Sequence, residues 1–292
     1  MVPVRGADVT EPAHAAANES LVAFLGPLGT FTHAAVDQYF GPDARKHSVA
    51  TIDEVFAEVA SGRARYGVVP VENSTEGAVN TTQDCLMDTG ARIIAEVIVP
   101  VEQNFLLRRD ADPAQIRRIV SHRQSLAQCR HWLAEHWPQV EKHEVSSNAE
   151  AARLASEDVH TAAIAGERAA KLYDLAVLNA RIQDQQNNCT RFLVLANQDT
   201  QPTGRDKTSI LVYTENKPGA LFRVLEPFNT HQVSLTKIET RPARDIAWAY
   251  VFFIDFEGHV QDAPVRRVLE LLKGCTVRIK QLGSYPMARV SS

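Results

Sequence analysis

The segment Asn187-Asn188-Cys189-Thr190-Arg191-Phe192 runs a polar stretch directly into the apolar Leu193-Val194-Leu195. That pattern reads as a loop ending in a buried strand, with a hydroxyl, a guanidinium and an aromatic ring at the junction. Thr190 is the leading candidate for a group that takes part in chemistry, as a weak acid or hydrogen-bond donor. The plainer alternative is that Asn187-Asn188 make a turn and Thr190 opens a strand. Two further segments offer donors at the end of an apolar run. Gly26-Pro27-Leu28-Gly29-Thr30 joins a strand to a helix and presents backbone N–H groups at the positive end of a helix dipole, which suits a carboxylate or phosphate. A tight turn capped by Thr30 accounts for it equally well. Glu72-Asn73-Ser74-Thr75-Glu76-Gly77 leaves another strand with more side-chain donors and acceptors than a turn requires. Asn73, Ser74 and Thr75 could grip a polar ligand beside the first loop, with N-capping as the alternative for each. The three segments together favour a small dianionic organic acid as ligand.

Other chemistries find little support. His131 and His136 are five residues apart and share no helix face, and no H-E-x-x-H or two-His-one-carboxylate spacing occurs, so no metal is expected. His33 and His122 fit surface or packed positions better than that of a base. The nucleotide-binding glycine patterns and the G-x-S-x-G elbow are missing. Cys85, Cys129, Cys189 and Cys275 are scattered, which fits a reducing cytoplasm rather than a disulfide framework. With 31 Lys and Arg against 35 Asp and Glu, the net charge of -4 gives no broad basic surface for nucleic acid. No apolar run is long enough to span a membrane. Residues 1–20 lack an apolar core and are expected to form a disordered tail rather than a signal peptide.

The elements that must position these residues follow from hydrophobic periodicity. The chain's 292 residues, 45% of them hydrophobic, suffice for two domains. Strands are predicted at 21–25, 66–71, 92–107, 116–120, 140–145 and 161–165. Helices lie between them: Phe31, Ala34, Ala35 and Tyr39 share one face. Thr51 caps a second helix, with Glu54 in the capping-box position and Ile52, Val55, Phe56 and Val59 as its core stripe. Further helices are predicted around 79–87, 126–137 and 148–155. This is an α/β layout with a largely parallel sheet. Residues 197–207 look like a linker. Beyond it come strands at 209–213, 233–239, 246–256 and 276–282, with helices at 219–229 and 265–272, the ferredoxin-like βαββαβ order. In this part Asn216-Lys217-Pro218-Gly219-Ala220-Leu221 again joins strand to helix, and Glu239-Thr240-Arg241-Pro242 ends the next strand. Backbone N–H groups of the first could take an α-carboxylate, and Glu239 or nearby carbonyls an ammonium. A simple helix entry and a modest surface ion pair between Glu239 and Arg241 are the alternatives.

Five motifs in this order resemble the prephenate dehydratase family with a C-terminal ACT regulatory domain: Gly26 to His33, Val69 to Gly77, Asn188 to Phe192, Gly219-Ala220-Leu221, and Glu239 to Pro242. The resemblance implies a catalytic domain over 21–200 like a type-2 periplasmic binding protein. One lobe would comprise 21–99 and 181–200, the other 100–180, with crossings near 99–104 and 177–184. An ACT domain would occupy 206–286, and 287–292 would be a tail. The implied reaction turns prephenate into phenylpyruvate, carbon dioxide and water without a cofactor. Thr190 would hydrogen-bond or protonate the departing hydroxyl, Arg191 would hold a substrate carboxylate or orient the loop, and Phe192 would pack under the site. Thr30, Asn73, Ser74 and Thr75 are implied to bind substrate. Asn216, Gly219, Ala220, Leu221, Glu239 and Arg241 would bind L-phenylalanine as effector, between subunits of a homodimer or homotetramer.

Two positions depart from the family pattern: Thr240 stands where serine is common, and Arg123 where proline is common. Some relatives carry an N-terminal chorismate mutase domain, which twenty tail residues are not expected to build. Arogenate dehydratase shares the same motifs, and a two-lobed binding protein without catalysis is an alternative from another class. A third alternative makes the small domain an oligomerisation module only.

Overall fold

The computed structural model describes residues 20–243 and 250–288. Most of both predicted tails, and residues 246–249 of the strand predicted over 246–256, lie outside them.

The first lobe begins with β1 (Val22–Leu25), α1 (Phe31–Phe40), β2 (Lys46–Val49) and α2 (Ile52–Ala60). It continues through β3 (Tyr66–Asn73), the short β4 (Gly77–Ala78), α3 (Asn80–Asp88) and β5 (Arg92–Pro100). Local chemistry sets the helix starts. Thr30 Oγ1 accepts from His33 N at the head of α1. At α2, Thr51 Oγ1 accepts from Glu54 N while Glu54 Oε2 reaches back to Ala50 N, and Ile52, Val55, Phe56 and Val59 are all buried.

The chain then crosses into a second lobe of β6 (Asn104–Arg108), β7 (Arg118–His122), α4 (Arg123–Gln128), α5 (Arg130–His136) and β8 (Glu141–Val145). This lobe closes with α6 (Asn148–Glu157), β9 (Thr161–Ala165), α7 (Glu167–Leu172) and β10 (Leu175–Asn179), in strand order β10-β6-β9-β7-β8. A second crossing returns the chain to the first lobe as β11 (Cys189–Ala196), which inserts between β3 and β5 to give the order β2-β1-β3-β11-β5.

The two sheets are mixed, not largely parallel. β1 pairs in parallel with β2 and β3, and β7 with β8 and β9. In contrast, β11 is antiparallel to both its neighbours, as is β6. The reason is the double crossing: a strand that starts at the crossing runs opposite to strands that end there. For the same reason the apolar run predicted as one strand over 92–107 divides at Val101 to Gln103 into strands of different lobes.

The C-terminal unit is β12 (Asp206–Tyr213), α8 (Ala220–Thr230), β13 (Leu235–Pro242), β14 (Tyr250–Glu257), α9 (Ala263–Cys275) and β15 (Arg278–Pro286). Its strand order β13-β14-β12-β15 is ferredoxin-like. One face of this sheet packs on α8 and α9 through Ile210, Val212, Val224, Phe228, Val268 and Leu272. The other face, with Leu211, Val251, Phe253, Leu282 and Tyr285, shares a core with Ile93, Leu193 and Leu195 of the first lobe. Docking is close: a Cβ on Gly283 would lie 2.1 Å from the Ile93 carbonyl oxygen. Lys280 Nζ donates to the carbonyls of Leu86 and Met87 at 3.0 and 2.9 Å, capping the negative end of α3. No helix of the described residues is long and apolar enough to cross a membrane.

Candidate functional site

Strand register brings two of the three candidate segments together. Thr190 pairs with Asn73 across β11 and β3, and Arg191 pairs with Glu72. Asn73 organises the junction. Its Nδ2 donates to Thr190 Oγ1 at 3.0 Å, Asn188 Oδ1 at 2.9 Å and the Cys189 carbonyl at 3.2 Å. Its Oδ1 accepts from the backbone N–H groups of Thr75 and Glu76. Ser74 ties the same loops, since its N donates to the Cys189 carbonyl and its Oγ accepts from Cys189 N. Thr190 is only 9% exposed, and because its oxygen accepts from Asn73 the hydroxyl proton points elsewhere. The hydroxyl is therefore able to donate, and among the described residues no histidine or carboxylate is hydrogen-bonded to it.

The first loop is pinned against the second lobe. Gly29 N donates to His33 Nδ1 at 3.0 Å, and Thr30 Oγ1 donates to the Pro27 carbonyl while accepting from His33 N. Thr30 thus serves as the helix cap. A Cβ at Gly29, where φ is +90°, would press on Leu172, and one at Gly166 on Phe31, so the lobes meet here in close contact. Burial first, then the nearby charges of Arg168 and Lys46, lowers the His33 pKa to about 4, so the imidazole is neutral. Beneath it the Asp37 carboxylate pairs with Lys46 and, across the lobes, with Arg168.

On the opposite side a buried amide and hydroxyl network hangs on the crossing segments. Gln103 Nε2 donates to Ser125 Oγ at 2.9 Å, Asn148 Nδ2 to Gln103 Oε1, and Ser125 and Ser121 both to Asn148 Oδ1. Gln183 Oε1 accepts from Gln103 N, and Val101 N donates to the Asn188 carbonyl, joining this network to the Thr190 loop. A polar cleft of about 450 Å³ opens between the lobes, lined by Thr75, Asn188, Gln183, Gln128 and Arg130 among others. Among the described residues no group of His, Cys, Asp and Glu could hold a metal ion.

Arg191 is not in the cleft. A strand alternates its side chains, so Arg191 points to the face opposite Thr190. There Nε donates to Glu96 at 2.7 Å, Nη1 to Asp255 at 2.8 Å and Nη2 to Tyr285 Oη at 2.9 Å. Burial works against its charge, but Tyr285, Asp255 and Glu96 outweigh it and raise the pKa above the usual arginine value. Phe192 returns to the Thr190 side but is 2% exposed within the first lobe's core beside Phe24 and Val36, with no surface for a ligand.

The C-terminal candidates divide. Asn216, Gly219, Ala220 and Leu221 line a hollow of about 260 Å³ with Tyr250 and Phe252. Glu239 and Arg241 lie instead on the face of β13 turned to the first lobe. There Arg241 donates to Asn80 and Asp84 of α3 at 2.9 and 2.6 Å, and Glu239 pairs with Lys237. Within one chain the two groups do not form a single site.

Residues 22–200 match the prephenate dehydratase family, and residues 208–272 match the ACT domain. The chain belongs to the prephenate dehydratase family. It is 51% identical over 267 residues to a bifunctional chorismate mutase/prephenate dehydratase of Pseudomonas aeruginosa, covering 91% of this chain and 73% of that one. The solved prephenate dehydratase of Arthrobacter aurescens, determined in complex with L-Phe, is 35% identical and superposes with a TM-score of 0.84, covering 91% of this chain and 89% of that one. A structure described as GqqA, a novel type of quorum-quenching acylase, is 28% identical with a TM-score of 0.84, over 92% and 98% of the two chains. The family's two-lobed α/β unit and ACT domain are thus the two parts described above.

Sequence reasoning missed the amide network of this family member. Gln103 and Gln183 left one signal, as polar residues interrupting runs that otherwise read as strand or loop. Asn148 left none beyond its place behind the capping Ser147.

Proposed function

We propose that the chain is a prephenate dehydratase whose activity responds to L-phenylalanine bound at the ACT domain. The observation that carries this is the Asn73 to Thr190 hydrogen bond, which leaves a shielded hydroxyl proton as donor beside an interlobe cleft. In prephenate, loss of the ring carboxylate as carbon dioxide sends its electron pair into the ring. The 4-hydroxyl departs from the far end of the ring as water after taking up a proton. Aromatisation drives both events, so the site needs orientation, a poorly solvated carboxylate and modest acid help. Thr190 gives that help as a hydrogen-bond donor to the leaving oxygen. Asn73, Ser74 and Thr75 fix the loop around it, and Arg130 at the rim of the cleft receives a carboxylate.

An acylase reading is disfavoured by the same bond. A nucleophilic threonine needs a base to take its proton, and Thr190 receives a hydrogen bond from an amide instead.

The hollow at Asn216 to Leu221 suits an amino acid: Gly219 N lies in a left-handed turn at a helix entry, with Tyr250 and Phe252 as apolar walls. Leu221, Phe222 and Tyr250 are exposed, and among the described residues β13 is an edge strand, which supports pairing of two copies into a dimer or higher homo-oligomer that completes the effector site. Turnover of prephenate and of arogenate by the purified chain, each with and without L-phenylalanine, tests the proposal. Prephenate is expected to be consumed and phenylalanine to reduce the rate. Inactivity on prephenate beside turnover of arogenate would transfer the assignment to the latter.

A further inference from the structure

The catalytic rung of the sheet has a charged rung as its immediate neighbour. Thr190 pairs with Asn73 on the cleft face, and one residue along each strand Arg191 pairs with Glu72 on the face covered by the ACT domain. From that second rung, opposite charges run without a break into the regulatory sheet. Arg191 Nη1 stands 3.8 Å from Glu72 Oε2, Glu72 Oε2 stands 3.0 Å from Lys237 Nζ, and Lys237 Nζ stands 3.0 Å from Glu239 Oε2. Lys237 and Glu239 are alternate residues of β13, the edge strand. The Lys237 ammonium is buried and makes no aligned hydrogen bond to either carboxylate, so charge alone holds it between them. At the other end Arg191 is fastened to Glu96 and Asp255 by short hydrogen bonds, and Glu96 is shared with Lys207. The run has one loose link, at 3.8 Å, and it falls on the residue before Asn73.

We propose that Glu72 and Lys237 are positioning residues that transmit the state of β13 to Thr190; this rests on the function proposed above. Lys237 divides its charge between Glu72 and Glu239. A ligand ammonium or partner group that engages Glu239 takes one of those anions away. A buried ammonium has to keep a counter-charge, and among the described residues Glu72 is the one within reach. The Glu72 side chain is 37% exposed against 2% for Glu96, so Glu72 is the end that moves. A stronger pull from Lys237 draws the start of the 72–77 loop toward the ACT domain. Asn73 Nδ2 already shares two hydrogens among three acceptors, so a displacement of about an ångström takes it out of hydrogen-bond range of Thr190 Oγ1. The hydroxyl then loses its orientation while the cleft itself persists, and the effect falls on turnover more than on substrate binding.

The full-length chain and its Lys237→Met, Lys237→Arg and Glu72→Gln variants test this. Prephenate turnover is measured over a range of phenylalanine concentrations, and phenylalanine binding is measured separately by calorimetry. Lys237→Met is expected to bind phenylalanine within about threefold of wild type, yet at saturating phenylalanine to be inhibited at least about tenfold less, the size of a typical coupling between sites. Lys237→Arg, which restores the cation, is expected to recover the wild-type response. Wild-type inhibition in both Lys237→Met and Glu72→Gln overturns the inference, as does a wild-type chain that turns over prephenate but ignores bound phenylalanine. A wild-type chain inert toward prephenate overturns the proposed function itself. If Lys237→Met does not fold, the near-isosteric Glu72→Gln decides by the same two measurements.

Discussion

Arg191 was a substrate-binding candidate in the sequence and an interdomain cation in the structure, and Arg191→Met separates the two roles. Methionine keeps much of the side chain's length and removes three aligned hydrogen bonds, to Glu96, Asp255 and Tyr285. The anions left behind are not equally stranded. Glu96 keeps Lys207 Nζ at 2.9 Å on both oxygens and the Ala288 N–H, whereas among the described residues Asp255 keeps the Ser209 hydroxyl at 2.6 Å alone. Removing one partner of a buried ion pair costs about 3–5 kcal/mol. With Glu96 still neutralised, the lower end applies, about 3 kcal/mol. The loss should appear in the first transition of a urea unfolding curve followed by far-UV circular dichroism, because the interface between the domains is where the cation sits. Arg191→Lys, which returns the charge without the planar fork, should recover part of it. The KM for prephenate should stay within about threefold of wild type in Arg191→Lys, since no substrate contact is lost. A stability change below about 1 kcal/mol in Arg191→Met, or a KM raised tenfold or more in a stably folded Arg191→Lys, would refute the interdomain role and return Arg191 to the cleft.

Thr190→Val keeps the shape and deletes the donor, so prephenate kcat should fall by about a hundredfold or more while Thr190→Ser retains a substantial part of it, both measured by steady-state kinetics. His33, neutral in the fold with a pKa of about 4, takes up a proton more readily when unfolded, near 6.5. Its contribution is therefore complete above about pH 6.5 and is lost as pH falls toward 4, by about 1–2 kcal/mol after allowance for solvent screening. Denaturation midpoints at pH 7.5 and 5 should drop less in His33→Asn, whose amide oxygen can still accept from Gly29 N. Gly283→Ala forces a Cβ to within 2.1 Å of the Ile93 carbonyl, and calorimetry should show loss of at least about 1–3 kcal/mol with separate melting of the ACT domain.

Local features were legible wherever the information is local. Thr51, Glu54 and the Ile52, Val55, Phe56, Val59 stripe spell out α2, and its structure follows them residue for residue. The βαββαβ order after the linker was equally plain from periodicity. Strand direction was not, because it depends on which lobe a strand starts from, and nothing within residues 189–196 records the second crossing. The face assignment of Arg191 could have been read from alternation with Thr190. Its partners could not: Asp255 and Tyr285 lie 64 and 94 positions away. The amides of Gln103, Asn148 and Gln183 look like surface residues until burial joins them, and the pairing of Glu239 with Lys237 and of Arg241 with Asp84 of the first lobe shows only in the fold. Residues that act through non-local partners carry no mark in the linear pattern.

The contact at Gly283 gives the ACT domain a fulcrum. There β15 meets the first lobe backbone against backbone, with no side chain able to enter and none able to yield. β13 lies three strands away at the opposite edge of the same sheet, roughly 14 Å at ordinary strand spacing. A rocking of only about 5° about β15 then swings β13 through roughly 1 Å, by simple lever geometry at that spacing. The edge at β15 keeps the domain seated, so a rocking of that size would be taken up at the far edge, by the Arg241 bonds to Asn80 and Asp84 and the Lys237 pair with Glu72.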